Sequence, residues 1–89
     1  MARVFFTANL RRHVDCDMAE AEGATVGEVL SHVFAARDRL GSYVLDDQGA
    51  LRKHMTVLVD GLRLRDRERL SDPVTASSQI WVMQALSGG

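Results

Sequence analysis

The chain has 89 residues, 46% of them hydrophobic and 26% charged, which is enough for one small domain and its core. A second core would need roughly another 50 residues. Eleven basic residues against twelve acidic ones leave a formal charge of -1, so no global field attracts phosphate backbones or anionic lipid, and neither nucleic acid nor a membrane is an expected partner.

A single cysteine, Cys16, can form no internal disulfide and no thiolate cage, which fits a reducing compartment. The opening Val4-Phe5-Phe6 stretch is broken by Asn9 and then Arg11-Arg12-His13. A signal-peptide core of about 7–15 apolar residues is missing, as is a membrane span of about 20. The expectation is a soluble, cytoplasmic protein whose two ends both belong to the mature molecule.

From Ala2 to Ala8, Val4, Phe6 and Ala8 alternate with Arg3, Phe5 and Thr7, the period of a half-buried strand. After a turn at Asn9-Leu10-Arg11, Val14, Cys16 and Met18 alternate with Asp15 and Asp17, which predicts a hairpin. In that phase Cys16 fills the core as a small hydrophobe. Thr25-Val26-Gly27-Glu28 then carries a helix start, in which Thr25 caps a free N–H and Glu28 reaches back to the cap residue. Val26, Val29, Leu30, Val33 and Phe34 continue it as an apolar stripe, and Gly41 beyond Leu40 suits a left-handed cap, so the spacing predicts a helix over 26–40.

Asp46-Asp47-Gln48-Gly49 has the chemistry of a surface turn within a looser stretch over 41–53. Met55, Val57 and Val59 alternate with Thr56 and Leu58, and Asp60-Gly61 signals a tight turn into Leu62-Arg63-Leu64. The Arg65-Asp66-Arg67-Glu68-Arg69 run has both signs and no apolar period, the pattern of a solvated turn. After the turn at Pro73, a last strand is predicted over 79–86, with Ile80 and Val82 alternating with Trp81 and Met83.

This order of elements predicts an α+β domain over residues 1–86: a mixed four- to five-stranded sheet with one main helix packed on one face. The last strand can return beside the first in parallel, which is the β-grasp arrangement. Ser87-Gly88-Gly89 follows as a flexible tail. In the last strand Trp81 and Met83 oppose Ile80 and Val82. If the latter face the helix, Trp81 and Met83 share the open sheet face with Leu58 and form a partner-docking surface. The alternatives are inverted faces, or residues 41–53 folded over the cluster. His13, His32 and His54 are scattered without ligand spacing, so no metal site is expected.

The segments Val4-Phe5-Phe6-Thr7-Ala8-Asn9-Leu10-Arg11, Ala24-Thr25-Val26-Gly27-Glu28-Val29-Leu30 and Val57-Leu58-Val59-Asp60-Gly61, with the Ser87-Gly88-Gly89 ending, resemble the MoaD/ThiS family of ubiquitin-like sulfur carriers. The likeness spans nearly the whole chain. It departs at Met83-Gln84-Ala85-Leu86, where molybdopterin-pathway members commonly carry a proline pair. The stretch 41–56 is similar to the insert of CysO-type carriers and archaeal small modifiers.

The resemblance implies that the Gly89 carboxylate is adenylated by a ubiquitin-activating-like adenylyltransferase using ATP, then converted to a thiocarboxylate by a sulfur donor. Gly88 and Ser87 would thread the partner's channel, where residues without Cβ keep the approach open. The sulfur would pass to a downstream synthase subunit in molybdopterin, thiazole or cysteine-type biosynthesis. The chain would bind no cofactor and be a protein co-substrate rather than an enzyme, counted as the small subunit of a synthase if it serves the molybdopterin pathway. Two alternatives remain: a ubiquitin-like modifier conjugated through Gly89 to lysine, and a non-covalent ubiquitin-like interaction module.

Overall fold

The computed structural model describes residues 1–7 and 18–84. Among the described residues, five strands and two helices follow one another as β1 (Ala2–Phe6), β2 (Met18–Ala21), α1 (Val26–Ala35), α2 (Asp38–Val44), β3 (Met55–Val59), β4 (Leu62–Arg63) and β5 (Gln79–Gln84). The strands make one mixed sheet in the order β2-β1-β5-β3-β4. The predicted return of the last strand is realised: β5 lies parallel to β1, while β2, β3 and β4 each join by antiparallel pairing.

The apolar alternation of the strands explains the core. Ala2, Val4 and Phe6 of β1, Met55 and Val57 of β3, and Ile80 and Val82 of β5 all point to one side and are buried. The α1 stripe of Val26, Val29, Leu30, Val33 and Phe34 closes over them. Burying each such side chain contributes about 1.5–3 kcal/mol, so this seam carries most of the stability.

The start of α1 is capped as its sequence suggests, with one difference. The Glu28 N–H donates to Thr25 Oγ1 at 3.2 Å, but the Glu28 carboxylate accepts from the Ala24 N–H at 3.0 Å, one residue further back than the cap. The N–H groups of Val26 and Gly27 donate to the carbonyls of Asp72 and Leu70. A Cβ on Gly27 would come within 3.2 Å of the Arg69 and Leu70 carbonyl oxygens, so glycine is what lets this distant loop dock on the helix end.

The single predicted helix over 26–40 is two helices. After Phe34 the same helical face would carry Arg37 and Gly41, whereas the residues that enter the core are Leu40 and Val44. The chain therefore breaks at Ala36-Arg37 and restarts in a new direction. Gly41 lies inside α2 rather than at a cap, and its missing Cβ admits the Phe34 side chain, 3.1 Å from where that atom would stand.

The phase predicted for the second strand is also corrected at Met18. β1 pairs with β2 so that Phe5 opposes Met18, and facing residues share a side. Met18 is therefore 42% exposed on the side away from the helices, and Ala19 and Ala21 are the inward residues. Val14 and Cys16 lie outside the described residues.

Two turns follow their chemistry closely. Asp60 and Gly61 both take positive φ, 51° and 86°, as a two-residue type I′ hairpin requires. Asp46 Oδ1 accepts from the Gln48 and Ala50 N–H groups, and Gly49 takes φ 84°.

Candidate functional site

The sheet face away from the helices is built by residues that alternate with the core. Register places Met18, Phe5, Trp81, Leu58 and Arg63 in one row across all five strands, in the order β2-β1-β5-β3-β4. Phe5 and Trp81 stack with ring centroids 4.5 Å apart and planes 16° apart. Offset stacking of this kind is worth about 0.5–1.5 kcal/mol beyond the area it covers. Met83 stands beside Thr56 in the next row towards the carboxyl end of β5, and Arg3 is paired with Glu20 and Gln79 in the row on the other side. The face thus has an aromatic and aliphatic centre with charged residues at its margins.

Trp81, Met83 and Leu58 share this face, as the strand alternation suggests. Trp81 is 37% exposed even with Phe5 stacked on it, while Leu58 and Met83 are half-buried. The inverted arrangement is excluded, because Ile80 and Val82 are the residues at 0% exposure. Nor do residues 41–53 cover the cluster, since Val44 and Leu51 join the core on the helix side. Phe5 and Met18 belong to the same face, which the sequence pattern alone does not show. The alternation of β1 already set Phe5 opposite Val4, but which strands adjoin it is a long-range fact.

The end of the sheet from which the tail departs is equally defined. The last pair of the β3–β5 ladder is Met55 with Gln84, and the Thr7 N–H donates to the Val82 carbonyl at 3.3 Å. Gln84, the last described residue, therefore stands between the end of β1 and the beginning of β3. Ser87, Gly88 and Gly89 lie outside the described residues.

The turn that leads into β3 is held by Arg67. Its guanidinium Nη2 donates to the Arg52 carbonyl at 2.9 Å and to the Met55 carbonyl at 2.8 Å, and the Met55 N–H closes the turn on Arg52. Arg67 is half-buried, so the charged run predicted as a solvated turn holds one anchoring member. Within the same loop the Asp66 carboxyl is lowered below its usual range, first by the Ser71 hydroxyl and then by the Arg69 N–H donating to it. Asp72 accepts from the N–H groups of Arg65 and Asp66. These carboxylates serve the loop's own backbone.

His32 Nδ1 lies 2.6 Å from the Glu22 carbonyl, and His54 meets the Tyr43 ring edge-on. Among the described residues no group of three or more His, Cys, Asp or Glu is placed to hold a metal ion. No helix among them is long and apolar enough to cross a membrane. His13 lies outside the described residues.

No family model matches the sequence, and no match is found among curated proteins. Solved structures do match over the full chain. SAMP1 of Haloferax volcanii superposes with a TM-score of 0.79 at 26% identity, covering 99% of this chain and 98% of its own. A chain of the Amycolatopsis orientalis BexX/CysO complex gives 0.83 at 23% identity, with 100% of each chain covered. Mycobacterium tuberculosis CysO gives 0.81 at 20% identity, covering 97% of this chain and 100% of that one.

Proposed function

We propose that this chain, a β-grasp protein of the MoaD/ThiS type, is a sulfur carrier whose Gly89 carboxyl is the working group. In the first step a carboxylate oxygen attacks the α-phosphorus of ATP in the active site of an adenylyltransferase, and pyrophosphate leaves. Hydrosulfide then attacks the acyl carbon, AMP leaves with the electron pair of the broken acyl–phosphate bond, and loss of the sulfur's proton to solvent leaves a thiocarboxylate on Gly89. The partner supplies ATP and the catalytic groups, and this chain is its protein co-substrate.

The observation that carries the proposal is the full-length likeness to CysO and SAMP1, combined with Gly88-Gly89 placed just after β5. The geometry supports it in two ways. The Phe5, Leu58, Trp81 and Met83 surface offers a partner an apolar footing, and β5 ends at Gln84 on that same sheet, five residues before Gly89 in sequence. The CysO of Amycolatopsis orientalis has been crystallised in a complex with BexX, a precedent for a protein of this fold being held by a partner.

Intact mass spectrometry tests the proposal. Incubation with ATP, a sulfur donor and the cognate adenylyltransferase should add about 16 Da, the difference between sulfur and oxygen. Deleting Gly89 should abolish the gain and leave the thermal melt unchanged. A deletion variant that still acquires sulfur would sink the assignment.

A second reading follows from the name of one neighbour, the small archaeal modifier protein 1 of Methanosarcina acetivorans, at 23% identity and TM-score 0.80. There the activated Gly89 would pass to a lysine of another protein as an isopeptide. The same reconstitution with a lysate added separates the two, since conjugates carry this chain's full mass.

A further inference from the structure

Of the eleven basic side chains only Lys53 is a lysine, and the other ten are arginines. A guanidinium is not deprotonated in proteins and attacks no acyl group. Lys53 is therefore the only side-chain amine that can capture an activated carboxyl of this chain. For a protein whose working group is an activated acyl, the position of that one amine matters.

Lys53 is exposed, in the turn that the Arg67 guanidinium ties down by its bonds to the carbonyls of Arg52 and Met55. It stands two residues before Met55, the partner of Gln84 at the end of the β3–β5 ladder. A ladder spacing of about 5 Å plus two residues of chain puts the Lys53 Cα within roughly 12 Å of Gln84. Five residues follow Gln84, and an extended chain spans at most about 3.3–3.6 Å per residue, so the Gly89 carbonyl can travel roughly 17 Å from there. The amine and the acyl carbon of the same molecule are within mutual reach.

We infer that Lys53 is a self-acylation site, whose amine takes the acyl group of an activated Gly89 from its own chain. The inference rests on the reading that Gly89 is activated. The unprotonated Nζ attacks the Gly89 carbonyl carbon. A C–N bond forms, the acyl bond to the AMP phosphate breaks, AMP leaves with the electron pair, and the amine's extra proton goes to solvent. The product is an isopeptide loop from residue 53 to residue 89 that can no longer carry sulfur. A short connecting segment gives an effective concentration in the millimolar range. Capture within one molecule therefore outruns capture between molecules at ordinary protein concentrations, and a partner that holds the tail protects the adenylate from this loss.

The test needs no partner enzyme. The full chain is prepared as a Gly89 α-thioester by cleavage from an intein fusion and incubated at about 5 micromolar protein, where same-molecule transfer is favoured by a few hundred-fold. The expected product is a monomer about 18 Da lighter than the hydrolysed acid, with a cross-linked peptide joining Gly89 to Lys53 and a rate independent of protein concentration. In K53R only hydrolysis should remain. Wild-type chain that only hydrolyses, a cross-link to the Met1 α-amine, dimers as the main product, or the same loss of mass in K53R would each overturn the inference. Because the thioester bypasses adenylation, such a failure leaves the carrier reading standing, and a failed sulfur transfer with the adenylyltransferase leaves this result standing.

Discussion

On the helix side of the sheet Val4, Val57, Ile80 and Val82 are fully enclosed, whereas the residues between them on the same strands, Phe5, Leu58 and Trp81, stay half-buried or exposed with nothing from the described chain over them. Both sets are apolar, so hydrophobicity alone does not separate them. What separates them is the two-residue period of the strand and the placing of both described helices on one side of the sheet. Stability is concentrated on one side, and the other side keeps apolar surface that the fold does not require. That surplus is what the proposed docking of a partner on the outer face rests on.

The contrast breaks most severely if Phe34 is not a core residue. Phe34→Ala should cost about 3–5 kcal/mol, which for a domain of this size lowers the melting temperature by roughly 15–30 °C. A calorimetric or circular-dichroism melt that does not move would refute the placement of the seam between α1 and α2. Next in size is the hairpin that fixes which residues of β3 and β4 face outward. Gly61→Ala should cost about 1–2 kcal/mol through its φ of 86° alone, since a Cβ there meets no atom within 4 Å. A urea unfolding curve checks it, and a neutral result would mean that the turn relaxes to another type.

Trp81→Lys sharpens the comparison from the other side. It removes the stack on Phe5, worth about 0.5–1.5 kcal/mol, and should leave the chain folded while weakening binding to the adenylyltransferase at least about tenfold by calorimetry. An unfolded variant would make Trp81 a core residue. The smallest effect concerns the loop that docks on α1. The Asp66 carboxyl is lowered in the folded state, so its contribution is present above the unfolded value of 3.8 and is lost as pH falls through the lower folded value. Amide protection at Arg69 and Ser71, measured against intrinsic exchange, should fall as the pH drops below 3.8. Asp66→Asn should show the faster exchange throughout and no such step.

The parts of this arrangement that can be read from sequence are those set by local pattern. The α1 stripe, the Asp60-Gly61 hairpin and the alternation that puts Trp81, Met83 and Leu58 together all follow from spacing within a few residues. The break at Ala36-Arg37 is not local in this sense, because it depends on where Leu40 and Val44 find the core. β2 is signalled only weakly by its alanines, so the larger Met18 dominates the expected phase, and the structure has the opposite one. The stack of Phe5 on Trp81 depends on a parallel pairing across most of the chain, and the anchoring by Arg67 on a loop meeting a distant turn. Of the candidate residues, Ser87, Gly88 and Gly89 are legible only through resemblance, since they lie outside the described residues.

The position of β5 has a consequence for how the molecule comes into being. β5 pairs with β1 on one side and β3 on the other, so strands from the beginning and the middle of the chain meet only through a segment made near its end. A nascent chain that stops short of Gln84 has a hairpin, a helical pair and another hairpin, but no continuous sheet to hold them. Such long-range pairing slows folding relative to helical domains of equal size. Gly88 and Gly89, the residues proposed to do the work, follow β5 in sequence, so they are made only after the strand that joins the two halves of the sheet.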